Sequence, residues 1–151
     1  LITRDYGSWL FLGEILLDIE LDYDDEFIDD LCGSCTACID SCPTNALGDY
    51  EIYAEKCISY FTIEHRGEFK SNTELHNWIY GCDICQEVCP WNQKFSQITN
   101  EKNFYPKMEI LSWTDKDWEN INENEFRKIF KGSAVKRTKH EGLLRNIKEN
   151  K

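Results

Sequence analysis

Eight cysteines are the residues of this 151-residue chain whose type and spacing could do chemistry. Four of them lie in the stretch 32–43, CGSCTACIDSCP, which has the pattern CxxCxxCxxxCP. In this pattern three thiolates at three-residue spacing hold corners of one [4Fe-4S] cube, and the fourth thiolate reaches a different cube. Pro43 disfavours the helical region for the residue before it, so the chain leaves this loop extended. The sequence must therefore supply the ligands of a second cluster.

A second run, CDICQEVCP at 82–90, repeats the pattern without its first cysteine. Cys57 is the only cysteine outside the two runs, and the total of eight divides into two sets of four. We therefore predict that each run completes the other run's cluster. The first predicted ligand set is Cys32, Cys35, Cys38 and Cys89, and the second is Cys42, Cys57, Cys82 and Cys85.

Two other uses of eight cysteines compete with iron-sulfur ligation. A pair of four-cysteine zinc sites needs the same number of thiolates, but zinc pairs are normally CxxC knuckles and do not require a third cysteine or the repeated CxxxCP. A disulfide framework belongs to oxidising compartments, and three cysteines at this spacing would give strained pairings. The spacing favours two [4Fe-4S] clusters and a cytoplasmic location.

Charge is distributed unevenly along the chain, whose formal net charge is −11. Residues 1–126 carry 26 Asp or Glu against 8 Lys or Arg, whereas residues 127–151 carry 2 against 9. An acidic body repels nucleic acid, but a separate basic tail can bind it. On composition alone, a charged helical face that keeps the protein soluble explains the tail equally well.

The N-terminal part of the chain has an apolar stretch followed by an acidic one. The stretch 8–17 contains Glu14 and is far shorter than the ~20 residues that span a bilayer, so we expect no membrane association. Residues 1–19 could form a helix, or a strand and a turn, and must pack on something, either in this chain's core or as the end of an upstream domain. The acidic run 18–30 reads as a linker. Because the chain begins at Leu1 within a hydrophobic pattern, we expect it to be part of a longer protein.

The predicted fold is α+β, a bacterial ferredoxin-like two-cluster module with C-terminal helices. We divide the chain into an upstream end and linker (1–30), a double-cluster domain (31–93) and a helical basic region (94–151). Within these ranges we predict a turn and short strand at 44–53, an extended or loop segment around Cys57 and a short helix at 74–80. The region 94–112 is predicted to be a loop. Three helices should follow, one capped by Thr114, one ending at Gly132 and one carrying Leu143, Leu144 and Ile147 on one face.

Several stretches together resemble one family, epoxyqueuosine reductase. They are DYGSWLFLGEILLD (5–18), CGSCTACIDSCPTNAL (32–47), KCISYFTIEHRG (56–67), YGCDICQEVCPWN (80–92) and FKGSAVKRTKHEGLLRN (130–146). The cysteine run alone is shared by many ferredoxins, whereas CISYFTIEHRG and CPWN are more specific. The resemblance covers nearly the whole chain.

The resemblance implies a function for the longer protein. Such enzymes reduce epoxyqueuosine to queuosine in tRNA, using cobalamin and two [4Fe-4S] clusters that pass electrons to it, so a monomeric oxidoreductase served by a flavodoxin or ferredoxin is expected. The family's cobalamin domain and proton donor lie upstream, so the fragment alone should be inactive and no catalytic residue is assigned. Ser59, Arg66 and Asp83 would lie near the cobalamin. The implied tRNA contacts come from the basic residues between Arg127 and Lys148, chiefly Lys131, Lys136, Arg137, Lys139 and Arg145.

Some of these residues also have ordinary structural explanations. Ser59 could make a local backbone hydrogen bond, and Arg66 could pair with a nearby acid such as Glu64 or Glu68. For the chain as a whole, the competing functions are a stand-alone ferredoxin-like electron carrier and a corrinoid reductive dehalogenase-like protein. Neither of these binds tRNA, so tRNA binding separates them from the preferred function.

Overall fold

The computed structural model of this chain describes residues 1–24 and 29–151. Its helices are α1 (Ala37–Asp40), α2 (Ile58–Ile63), α3 (Ile84–Glu87), α4 (Pro90–Phe95), α5 (Met108–Leu111), α6 (Asp115–Asn120), α7 (Glu123–Ile129) and α8 (Lys139–Glu149). Three short 3₁₀ helices cover Ala54–Lys56, Lys102–Phe104 and Ala134–Thr138. Strands β1 (Leu47–Gly48) and β2 (Glu51–Ile52) form one antiparallel hairpin with Leu47 opposite Ile52. The fold is α+β, as predicted.

The apolar core lies in the C-terminal region, where α6, α7 and α8 pack together. Its buried members are Ile121, Phe126, Phe130, Leu143 and Ile147. Helix α6 begins directly after Thr114, and α7 begins with a reciprocal capping box between Asn122 and Glu125. The three helices predicted here are confirmed, although α7 ends at Ile129 and Gly132 follows in a left-handed conformation (φ +76°).

The predicted extended segment after Cys57 is wrong, because Ile58–Ile63 is helix α2. Its β-branched residues favour a strand only where a sheet is available to receive them. Here Ile58 and Thr62 are buried on one face, and the Thr62 hydroxyl donates to the Ile58 carbonyl at 2.8 Å. Burial on that face therefore outweighs intrinsic propensity.

The helix predicted at 74–80 is also wrong, since the segment is a series of turns and bends. His76 and Asn77 take left-handed backbone conformations, with φ of +49° and +68°. The Ile79 carbonyl accepts a hydrogen bond from the side chain of Asn146 in α8, and the Trp78 carbonyl accepts one from Asn150, which caps α8. The segment is shaped by α8, more than 65 residues later in the chain.

The region 94–112 is not the simple loop that was predicted. Helix α4 continues to Phe95, and a 3₁₀ helix at Lys102–Phe104 and helix α5 interrupt the remainder. The predicted turn and strand at 44–53 is confirmed as the β1–β2 hairpin.

The N-terminal segment does not fill the core. Thr3 and Gly7 form an isolated antiparallel bridge, but residues 9–24 have no helix or strand. Phe11, Leu12 and Leu16 are 89%, 76% and 96% exposed. The expectation that this stretch packs into this chain's core is therefore wrong. Residues 25–28 of the predicted acidic linker lie outside the described residues. Among the helices of the described ranges, none is long and apolar enough to cross a bilayer.

Candidate metal centre

Two cavities divide the eight cysteines between them. One has a volume of about 510 Å³, and the cysteines that line it are Cys32, Cys35, Cys38, Cys85 and Cys89. The other has a volume of about 40 Å³, and its cysteines are Cys42, Cys57, Cys82 and Cys85. We call Cys32, Cys35, Cys38 and Cys89 the first cysteine group, and Cys42, Cys57, Cys82 and Cys85 the second. Cys85 is the only cysteine that lines both cavities, and its assignment to the second group follows the ligand sets predicted from the spacing.

The electrostatics of the first group show which thiols are neighbours. Burial raises the pKa of the Cys32 thiol, and the charge of Asp30 raises it further. The thiols of Cys38, Cys35 and Cys89 add smaller contributions of the same sign. Cys32 therefore lies near the thiols of the other three members of its group, although Cys89 is 57 residues away in the chain.

The second group shows the same relationship. Burial raises the pKa of the Cys82 thiol most, and the nearby thiols of Cys57 and Cys42 raise it further. Burial also raises the pKa of Cys85 most, and the nearby thiols of Cys82, Cys57 and Cys38 raise it further, in that order. Because Cys38 belongs to the first group, its effect on the pKa of Cys85 agrees with the position of Cys85 at both cavities.

Cys42 differs from the other perturbed thiols because its pKa is lowered. Burial alone would raise it, but hydrogen bonds to the sulfur outweigh burial. The amide of Ala46 donates to Sγ at 3.3 Å, and the Thr44 hydroxyl lies 3.7 Å from it. Such bonds stabilise a thiolate, which is the form that ligates iron.

The loop of the first group is fixed by one carboxylate. Asp30 accepts hydrogen bonds from the amides of Cys32 and Gly33 at 2.9 and 3.1 Å, and from the hydroxyl of Tyr50. These bonds hold the pKa of Asp30 below its usual value, with the Tyr50 bond contributing most. In turn, the pKa of Tyr50 is raised to about 12.

A buried amide joins the second cysteine run to the N-terminal segment. Asn92 is 2% exposed, and its Nδ2 donates to the Gln86 carbonyl at 2.8 Å and to the Ser8 hydroxyl at 3.0 Å. Its Oδ1 accepts from the amide of Ser8. Gly7 has φ +71°, and a Cβ there would lie 2.4 Å from Asn92 Oδ1. Residues 7–8 thus fit closely against this run.

A second buried amide joins α8 to both segments that deliver Cys57 and Cys82. Asn146 is fully buried, and its Nδ2 donates to the carbonyls of Thr62 and Ile79 at 2.8 and 2.9 Å. The Thr62 hydroxyl accepts from the amide of Gly81 at 3.0 Å, directly before Cys82. Asn146 was not singled out in the sequence, because an asparagine within an amphipathic helix gives no signal of the carbonyls it meets.

Arg145 of the predicted tRNA-binding set is directed into the fold. Its five hydrogen bonds use Nε, Nη1 and Nη2 and reach the carbonyls of Phe61, His65 and Gly67 and the side chain of Asn146. Its guanidinium also lies 4.2 Å from the centre of the Phe69 ring. Burial lowers the pKa of Arg145.

The other predicted basic contacts lie on the surface. Lys131, Lys136 and Lys139 are exposed, and Lys139 lies 4.0 Å from Glu141. Arg137 is also exposed but forms an ion pair with Glu64 at 2.9 Å. The predicted set therefore divides into three exposed lysines and two arginines that already have partners in the fold.

The residues implied to lie near cobalamin are not brought together by a direct contact within the described residues. Ser59 is half-buried in α2, one turn before Thr62, and Asp83 is exposed next to Cys82, so both flank the second cysteine group. Arg66 donates to the carbonyls of Ile63, His65 and Arg137. Its partners are thus backbone oxygens, and not the neighbouring acids considered from the sequence.

The donor set fits iron-sulfur ligation. All eight cysteines are free, Cys35 being exposed and the others half-buried. Within residues 1–24 and 29–151, no three His, Cys, Asp or Glu side chains are placed to hold a single metal ion. That finding does not bear on a cube, whose four irons keep the four thiolates apart.

Comparison with known proteins places these features in a family. Residues 31–92 match the family described as a 4Fe-4S double cluster binding domain. An epoxyqueuosine reductase from Cellulophaga algicola is 49% identical over 150 residues, which are 97% of this chain and 48% of that protein. The chain therefore spans about half the length of the curated relatives that it matches.

Solved structures give the same relationship. Epoxyqueuosine reductase from Bacillus subtilis matches with a TM-score of 0.83 at 32% identity, over 99% of this chain and 40% of that one. A crystal structure of epoxyqueuosine reductase with an epoxyqueuosine-modified tRNA-Tyr stem loop matches with a TM-score of 0.72 at 33% identity, over 82% of this chain and 33% of that one. Over nearly its whole length, the chain is therefore homologous to part of the epoxyqueuosine reductases.

Proposed function

We propose that this chain is the iron-sulfur electron-transfer part of an epoxyqueuosine reductase, an oxidoreductase that reduces epoxyqueuosine to queuosine in tRNA. The main support for the proposal is that all eight cysteines line two cavities, one with Cys32, Cys35, Cys38 and Cys89 and the other with Cys42, Cys57 and Cys82, while Cys85 lines both. The family relationship supplies the reaction. Because the chain spans about half of its relatives, the reaction belongs to the whole protein, and the chain alone is expected to be inactive.

Each cysteine group holds one [4Fe-4S] cluster in this proposal. The first cluster is ligated by Cys32, Cys35, Cys38 and Cys89, and the second by Cys42, Cys57, Cys82 and Cys85. When bound, such clusters transfer single electrons. The protein's own part is to keep the thiolates in place and to shield them, which the partial burial of all but Cys35 supports.

Cobalamin belongs to the whole protein in this proposal, with Ser59, Arg66 and Asp83 as this chain's contribution. The positions of Ser59 and Asp83 beside the second cysteine group support a cobalamin site near that group. Residues 31–93 then form the cluster domain, with the upstream end and linker at 1–30 and the basic helical region at 94–151. A cytoplasmic monomer that receives electrons from a flavodoxin or ferredoxin completes the proposal.

The basic region is proposed to contact the tRNA backbone. Phosphate contacts require positive charge within reach of solvent, which Lys131, Lys136 and Lys139 provide. Arg137 and Arg145 can add to the positive electrostatic potential of this surface, but each already has partners within the fold. The relative that was crystallised with a modified tRNA stem loop supports tRNA as the partner.

Binding of a tRNA anticodon stem loop tests the proposal against its rivals. We expect weaker binding by the triple variant Lys131→Gln, Lys136→Gln, Lys139→Gln. The slope of its log K against log salt concentration should be less negative by about 2, since each phosphate contact contributes about 0.7–0.9 to the slope. The matched control is Lys102→Gln, Lys107→Gln, Lys116→Gln, which removes the same charge from another exposed part of the chain.

Two results would contradict the proposed tRNA contact. The wild-type chain could fail to bind the stem loop, which is the result expected of an electron carrier or a dehalogenase-like protein. Alternatively, both triple variants could weaken binding equally, which would indicate a response to net charge and not to this surface.

A further inference from the structure

Asn146 connects the two separate chain segments that deliver ligands to the second cysteine group. We propose that Asn146, acting through Thr62, is a positioning residue that sets the placement of Cys57 relative to Cys82. The inference rests on the proposed function, because it takes the second group to be a cluster site. It adds a residue of α8, 57 positions after the last cysteine of the chain.

The connection runs through four hydrogen bonds. Nδ2 of Asn146 donates to the Thr62 carbonyl at the end of α2 and to the Ile79 carbonyl before the second run. The Thr62 hydroxyl donates to the Ile58 carbonyl at 2.8 Å and accepts from the Gly81 amide at 3.0 Å. Ile58 is the residue after Cys57, and Gly81 is the residue before Cys82. The segments that carry the two ligands are therefore joined to each other by hydrogen bonds next to Cys57 and Cys82.

The chemistry of the network specifies an asparagine. Its amide must donate two hydrogen bonds and accept at the same time, and Oδ1 accepts from the guanidinium of Arg145 at 2.9 Å. Asn146 and Thr62 are both completely buried, so a lost bond leaves a polar group with no water to replace it. A carboxylate at 146 would accept but could not donate to either carbonyl.

The network is separate from the apolar core of α8. Leu143 and Ile147 pack with Ile121, Phe126 and Phe130, while Asn146 faces Thr62 and Ile79. The hydrogen bonds that fix the first cysteine group come from Asp30, and those around Gln86 come from Asn92. A change at Asn146 should therefore reach one cluster site and leave the other unchanged.

Redox titration followed by EPR, on the full chain with its clusters assembled anaerobically, tests the proposal. Asn146→Asp and Thr62→Val should each shift the midpoint potential of one cluster, while the other keeps its wild-type value. Thr62→Ser retains the hydroxyl and should therefore keep the wild-type midpoint potentials of both clusters. In a Cys57→Ser background, which should hold only the first cluster, Asn146→Asp should leave the remaining potential unchanged.

Asn150→Asp is the matched control, since Asn150 caps the C-terminus of α8, one turn after Asn146. Its Nδ2 donates to the Trp78 carbonyl at 3.0 Å, and its Oδ1 accepts from the Asn77 amide at 2.9 Å. These contacts are similar in number to those of Asn146 but do not adjoin a ligand. Asn150→Asp should therefore lower the melting temperature without moving either potential.

A structural role alone gives a different pattern. Equal shifts of both clusters, or the same shift from Asn150→Asp, would overturn the positioning role, and so would unchanged potentials in both Asn146→Asp and Thr62→Val. If Asn146→Asp does not fold, Thr62→Val and Thr62→Ser decide, together with hydrogen exchange of the Gly81 amide. That exchange should accelerate in Thr62→Val only. A wild-type chain that binds no iron would instead contradict the proposed iron-sulfur function itself.

Discussion

The two cysteine groups use the same ligand chemistry but are assembled in different ways. Three members of the first group lie within seven residues, in a loop whose amides bond to Asp30. The second group draws its members from positions 42, 57, 82 and 85, and hydrogen bonds from α8 hold its segments together. One site is therefore largely encoded by a short motif, and the other by the tertiary structure.

This difference determines where substitutions should act. Asn146 of the C-terminal helix is far from every cysteine in sequence, yet it donates a hydrogen bond to the Thr62 carbonyl. The Thr62 hydroxyl in turn bonds the carbonyl after Cys57 and the amide before Cys82. The first loop makes no such contact with α8 among the hydrogen bonds of the described residues. The C-terminal region thus has a structural connection to the second group in particular.

The largest expected effect of a substitution is the loss of a single cluster. Cys57→Ser should remove the second cluster and retain the first, so that bound iron falls from about eight to about four per chain. Cys35→Ser is the reciprocal variant and should remove the first cluster. Iron analysis and EPR of anaerobically prepared protein measure both. Loss of both clusters, or of neither, in Cys57→Ser would contradict the crossed ligand sets.

Removal of the Arg145 side chain should have the next largest effect. Arg145→Ala leaves the carbonyls of Phe61, His65 and Gly67 without this donor, so we expect the free energy of unfolding to fall by about 3 kcal/mol or more, given about 1.5–3 kcal/mol for a hydrogen bond to a charged group. Urea denaturation checks this value. Arg127→Ala is the control, because Arg127 makes an exposed ion pair with Glu123, and such pairs contribute little to stability. Similar losses in both variants would show that Arg145 does not brace the segment after α2.

The attachment of the N-terminal segment is tested at Gly7. Gly7→Ala places a Cβ at 2.4 Å from Asn92 Oδ1 and a side chain at φ +71°, so we expect a loss of about 1–3 kcal/mol, as for other strained left-handed residues. Hydrogen exchange of the Ser8 amide, which donates to Asn92, should accelerate. Gly13→Ala has open space around it and should change neither quantity. An unchanged Ser8 exchange rate in Gly7→Ala would exclude this close fit in solution.

The smallest predicted effect is a pH dependence at the ion pair between α2 and the 3₁₀ helix before α8. The hydrogen bond from Arg137 holds the pKa of Glu64 below its ordinary value of 4.5. The folded state therefore binds fewer protons near this pH, and the pair's contribution is present above about pH 4.5 and lost as pH falls through the folded pKa. Carboxyl NMR titration should give a midpoint below 4.5, which returns towards 4.5 in Arg137→Gln. A midpoint unaffected by that substitution would show that the pair does not form.

Local patterns were sufficient for part of this molecule. The cap at Thr114, the end at Gly132 and the apolar face of Leu143, Leu144 and Ile147 predicted the three C-terminal helices, which the structure confirms. The deciding interactions of these helices lie within a few residues of one another. The cysteine spacing predicted two groups of four, and these ligand sets stay a prediction, since Cys85 lines both cavities.

The failures occurred where distant contacts decide the conformation. Ile58–Ile63 is helical because one face is buried, and residues 74–80 form turns because Asn146 and Asn150 bind their carbonyls. Within residues 1–19, the apolar side chains from Phe11 to Ile19 lie exposed and do not fill this chain's core, while the alternative that they end an upstream domain stays a prediction. None of these outcomes follows from the local sequence, since each depends on what the rest of the fold places opposite the segment.

In the proposed arrangement, this chain holds two [4Fe-4S] clusters in crossed cysteine groups. The decisive experiment is iron and acid-labile sulfide analysis with EPR, on anaerobically purified and dithionite-reduced protein. We expect about eight iron and eight sulfide per chain and two magnetically interacting clusters. Zinc in place of iron, or about four iron in one isolated cluster, would rule out the two-cluster arrangement.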